Sequence, residues 1–86
     1  MYNLEQYKEL AKRFSEKSFL GKLMIIKQNP EIFILEVDED GNFFLRLTDE
    51  KMMEQEVDML FSFPQNFGKK EYKDMFNLID ITIKTV

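Results

Sequence analysis

Apolar and polar positions change period several times along this chain, and each change predicts an element. Leu4, Tyr7, Leu10, Ala11 and Phe14 recur at helical spacing behind Asn3, with Gln6 completing a capping pair. That pattern predicts a helix over 4–18, ended by Gly21. Lys22 to Gln28 is rich in Ile and Leu and is stopped by Asn29-Pro30, which reads as a first strand over 22–28. Phe33, Leu35 and Val37, then Phe43, Leu45 and Leu47, alternate with period two and predict strands over 31–38 and 42–47. Met53, Val57, Leu60 and Phe61 return to helical spacing behind a cap at Thr48 or Asp49, predicting a helix over 49–61. Tyr72, Met75 and Phe76 mark a short helix over 69–76, and Ile79, Ile81 and Ile83 alternate as a closing strand over 78–84.

Turn chemistry sets the hairpin register. A two-residue turn at Asp40-Gly41 would put the two apolar rows on opposite faces of the sheet. A three-residue loop Glu39-Asp40-Gly41, a type I turn closed by Gly41 at positive φ, pairs Val37 with Phe43, Leu35 with Leu45 and Phe33 with Leu47. All six then share one face, and Asp38, Glu39 and Asp40 form an exposed tip. A turn centred on Pro30-Glu31 would pair Ile26 with Leu35 and Met24 with Val37, leaving Leu23, Ile25, Ile32, Ile34 and Phe44 on a second apolar face. The expected fold is α+β: one domain over residues 1–86, with a three- to four-stranded, mainly antiparallel sheet packed by two or three helices. The position of the last strand is left open.

Charge changes this picture most. Of the sixteen carboxylates, ten lie between Glu31 and Asp58, against only Arg46 and Lys51, so this third of the chain carries −8. The segments on either side carry +3 and +1. Glu50, Glu54 and Asp58 fall on one outward row of the expected helix, where like charges at that spacing are mildly destabilising. Such segregation favours a binding surface that meets a basic partner.

Composition removes most chemistry. Cysteine and histidine are absent, which excludes disulfides, thiolate metal sites and the commonest general base. Three isolated glycines make no phosphate loop, and Asp38-Glu39-Asp40-Gly41-Asn42 lacks the spacing of a calcium loop. Lys12-Arg13 and Lys69-Lys70 are small clusters for a nucleic-acid reader. No signal-peptide block or membrane-length apolar run occurs. The expectation is a cytoplasmic protein that is not an enzyme, needs no cofactor or metal, and contacts neither membrane nor nucleic acid directly.

From Leu47 to about Phe76 the chain resembles the barstar family of ribonuclease inhibitors. The likeness rests on Leu47-Thr48-Asp49, an amphipathic helix to Phe61, Phe63-Pro64-Gln65-Asn66-Phe67-Gly68 and a short helix after it. It implies that the loop and following helix present groups to a nuclease, although Lys69, Lys70 and Lys73 stand where that family offers acids. The overall layout, with its Asp40-Gly41-Asn42 turn, also resembles small acidic phage anti-CRISPR proteins that imitate DNA. Both likenesses imply an acidic inhibitor or immunity protein that binds a nuclease or another nucleic-acid-handling protein. The expected partner-binding residues are Glu36, Asp38, Glu39, Asp40, Asn42, Phe44, Glu50, Glu54, Asp58 and Phe67, with Phe44 and the Phe63/Phe67 loop as apolar anchors. The alternative is an assembly or regulatory module that binds a protein through the second apolar face of the sheet.

Overall fold

The computed structural model describes residues 2–63, 74 and 77–85. Helix α1 spans Leu4–Ser15 behind a complete capping box: Asn3 Oδ1 accepts from the Gln6 amide, and Gln6 Oε1 accepts from the Asn3 amide, both at 2.9 Å. Tyr7, Leu10, Ala11 and Phe14 form its buried stripe. The helix ends three residues before the expected boundary. Ser15 Oγ turns back to the Lys12 carbonyl, and Ser18 opens a second helix.

That second helix, α2 at Phe19–Gln28, replaces the expected first strand. The Ser18 side chain accepts from the Gly21 amide at 3.2 Å, so Gly21 lies inside the first turn of α2 rather than ending α1. Phe19, Leu23 and Ile26 stand at i, i+4 and i+7 and face the core. A short Ile/Leu run does not discriminate strand from buried helix by periodicity, and here the N-cap and the good helix formers Leu, Met, Lys and Gln decide for helix. Asn29 closes α2, its side chain donating to the Ile25 carbonyl, and Pro30 follows.

Strands β1 (Phe33–Val37) and β2 (Phe43–Leu47) form the expected antiparallel hairpin. Phe33 pairs with Leu47, Leu35 with Leu45 and Val37 with Phe43. Gly41 has φ +81°, and its amide donates to the Asp38 carbonyl at 3.1 Å, which closes the turn. A Cβ at Gly41 would meet no atom within 4 Å, so the position needs glycine for backbone conformation alone. Gly41→Val is therefore expected to cost about 1–2 kcal/mol in urea unfolding, with Gly41→Asn costing less.

Helix α3 is short, Glu50–Glu54, and a 3-10 turn at Val57–Leu60 follows it. Asp49 caps α3, its side chain accepting from the Lys51 and Met52 amides. The continuous helix expected to Phe61 is broken at Glu56, which has φ +59°. The break folds the chain back so that Val57 and Phe61 both reach the core, while Leu60 is exposed. The expected helix over 69–76 lies outside the described residues apart from Asp74, which is helical.

The closing strand is also shorter than expected. Residues 77–79 are helical, Asp80 has φ +53°, and only Lys84–Thr85 pair as β3. They run parallel to β1 in the order β2-β1-β3, so among the described residues this α+β fold has a three-stranded mixed sheet. Ile79, Ile81 and Ile83 still pack on the core, which accounts for their alternation without a strand.

The core is aromatic. Phe14 is 0% exposed and meets the Phe61 ring edge-on at 5.4 Å, and Phe61 meets Phe33 at 5.2 Å. Phe33, Leu35, Phe43, Leu45 and Leu47 complete it from the sheet. The expected second apolar face is not a unit: Leu23 and Ile25 belong to α2, Leu23 and Ile32 are core, and only Ile34 and Phe44 remain half-buried on the outer side of the sheet.

Candidate functional site

The expected site residues separate into three groups. At the hairpin tip, Glu39 and Asp40 are exposed, while Asp38 is half-buried and structural. Asp38 Oδ1 accepts from the Asp40 and Asn42 amides, both at 2.9 Å, and its second oxygen accepts from the Asn42 side chain at 3.3 Å. The sequence reading of a freely exposed Asp38 is corrected by these bonds: its carboxylate holds the turn that displays its neighbours, and Asn42 is its partner.

The backbone N–H of Asn42, first among these donors, holds the Asp38 carboxyl below the usual carboxylate range. A folded-state pKa below the unfolded one means that this stabilisation is complete above the unfolded value and is lost as pH falls through the folded value. Thermal melts from about pH 5 down to about pH 2 are expected to show a steeper decline for the wild type than for Asp38→Asn. Parallel declines would remove Asp38 from the turn's support.

The second group lies along the hairpin. Glu36 is ion-paired with Arg46 across the two strands. Phe44, Arg46 and Asp58 line one open cleft of about 310 Å³, with Met59, Ser62 and Phe63 at its far side. Met59 is 72% exposed there. Phe63 packs at 6.4 Å from Phe14 and 5.8 Å from Phe19, which places this expected anchor against the core. Phe67 lies outside the described residues.

Glu50 and Glu54 form the third group, exposed on α3. The break at Glu56 removes Asp58 from their row and turns it to the cleft beside Phe44. Because β2 joins the tip to α3, the tip acids and the helix acids stand at opposite ends of a five-residue strand, about 17 Å apart by strand rise. Their charge is uncompensated: the ion pairs among the described residues are Glu5–Lys8 and Glu36–Arg46.

Sequence reasoning missed a cleft at the α3 end, which includes Tyr2, Tyr7, Glu31 and Asp49. Tyr7 belongs to the apolar stripe of α1, and its helical spacing carries no sign that it lines a cleft. Among the described residues no group of three or more His, Cys, Asp or Glu side chains is placed to hold a metal ion, and no helix is long and apolar enough to cross a membrane.

Comparison with protein-family models, with curated proteins and with solved structures finds no match to the chain. Fold and surface together define a class: a small α+β domain with an aromatic core and two uncompensated acidic ends.

Proposed function

We propose that the protein is a small non-enzymatic inhibitor or immunity protein whose acidic surface occupies the basic, nucleic-acid-binding surface of a partner, a nuclease above all. The observation that carries this reading is the set of exposed carboxylates Glu39, Asp40, Glu50 and Glu54, unpaired within a segment of net −8 and displayed from both ends of the hairpin. Unpaired exposed charge contributes little to folding and much to the rate of association with an opposite surface. Phe44 and exposed Met59, flanking Asp58, supply the apolar contact that charge alone lacks. The likenesses to barstar and to acidic anti-CRISPR proteins support the same class.

The test is affinity capture at low and high salt, followed by competition with duplex DNA and with RNA. A partner that is lost at high salt and displaced by nucleic acid supports the proposal. A partner indifferent to both overturns it. The competing proposal, an assembly module, now rests on Ile34 and Phe44 alone, and a concentration-dependent homo-oligomer in size exclusion would favour it.

A further inference from the structure

The cleft at the α3 end has walls fixed by the backbone. The Thr48 amide donates to the Ile32 carbonyl at 3.0 Å, and Thr48 Oγ1 donates to the Glu31 carbonyl, which joins the start of β1 to the α3 cap. Helix α1 closes the other side with Tyr7, whose ring lies 5.5 Å from that of Tyr2. The cleft is open to solvent and has a volume of about 660 Å³.

Two polar atoms here have no protein partner. Tyr7 is 3% exposed, yet its hydroxyl makes no hydrogen bond. No fully buried side-chain polar atom among the described residues lacks a partner, so the Tyr7 hydroxyl keeps some exposure, and Tyr7 lines the cleft. Asp49 uses Oδ1 to cap α3 and leaves Oδ2 without a donor. Burial of the Tyr7 phenol, with the Asp49 charge second, raises its pKa, so the ring remains neutral. Glu31 and Glu50 add negative charge to the lining, against Lys51. A nearly buried phenol oxygen, a free carboxylate oxygen and a second tyrosine ring together fit a flat, donor-rich cation. A guanidinium offers several donors in one plane and a face that stacks on aromatics, which an ammonium does not.

We propose that this cleft receives an arginine side chain of the basic partner, its guanidinium donating to Tyr7 Oη and Asp49 Oδ2 and stacking on Tyr2. The proposal rests on the docking function above and adds the anchor that fixes the orientation of the complex.

The probe is arginine blocked at both ends, N-acetyl-arginine methylamide, titrated into the full chain at constant ionic strength and followed by NMR. Saturable shifts centred on Tyr7, Ile32 and Asp49 are expected, with the neutral isostere N-acetyl-citrulline methylamide binding about tenfold more weakly. Tyr7→Phe keeps the buried ring and Asp49→Asn keeps a capping side chain, so both should retain a folded spectrum while weakening the arginine probe about fivefold. Equal shifts from the citrulline probe, or undiminished binding in both variants, would overturn the assignment. Tighter binding of free arginine than of the blocked probe would overturn the side-chain source in favour of a small molecule. No partner is present in this titration, so its failure is separate from failure of the salt and competition experiment.

Discussion

Phe14→Ala is expected to lower the unfolding free energy by about 3–5 kcal/mol, the range for truncating a fully buried aromatic. Its ring is inaccessible to solvent and touches Phe33 at 6.2 Å, Phe61 at 5.4 Å and Phe63 at 6.4 Å. These neighbours come from the sheet and from the chain just after the 3-10 turn. The hole left by truncation is therefore bounded by two separate parts of the chain besides α1, the sheet and the 61–63 segment, and collapse of either one cannot fill it. A domain of this length has a total stability of about 4–13 kcal/mol, so the variant should lie near its unfolding midpoint in water or well below the wild-type midpoint in urea. Phe19→Ala, removing a half-buried ring at the edge of the cluster, should cost less. A Phe14→Ala loss under about 1 kcal/mol would contradict the packing described.

The largest expected functional effect belongs to a charge variant that spares Asp38. Neutralising Asp38 would weaken the charge-assisted hydrogen bonds that build the turn, and any loss of binding would then mix destabilisation with lost attraction. Glu39→Gln, Asp40→Asn, Glu50→Gln and Glu54→Gln combined change only exposed, unpaired groups. Each should shift stability by no more than about 0.5 kcal/mol, so the melting temperature should hold. Association with the captured partner should slow by about 10–100-fold at low salt, and dissociation should change little. At high salt the wild-type rate should fall toward that of the variant, because exposed charges are screened. An unchanged association rate would mean that these carboxylates are only a solvated surface.

Much of the fold was legible where local chemistry has one solution. The Asn3–Gln6 capping box, the Asp49 cap and the hairpin register each follow from a few adjacent residues, and the apolar faces of β1 and β2 permit only one alignment. Reading failed where an apolar run served two elements equally well. Leu23 and Ile26 suit a strand or a helix, and the deciding signal was Ser18, three residues before Gly21. Glu56 is a different failure: a non-glycine residue at positive φ has no local signature, and only the burial of Phe61 against Phe14 and Phe33 accounts for it. The same limit applies to the candidate site. Charge segregation is visible along the chain, but the Glu36–Arg46 pair and the withdrawal of Asp38 into the turn are tertiary, so part of the expected acidic face is already ion-paired or hydrogen-bonded.

The joining of β3 to β1 has a consequence for the order of folding. The hairpin turn closes between Asp38 and Asn42, four residues apart, whereas β3 meets β1 through Glu36 and Lys84, 48 residues apart. Closing the longer loop costs about 2 kcal/mol more in chain entropy. The hairpin can therefore form early, and the C-terminal segment docks onto an already assembled β1 with little left to nucleate. Truncations at Ile81 or Ile83 should speed unfolding and leave the folding rate nearly unchanged, whereas Leu35→Ala should slow folding. The amides of Lys84 and Thr85 should exchange with solvent ahead of those in the hairpin, through an opening that leaves the remaining core closed.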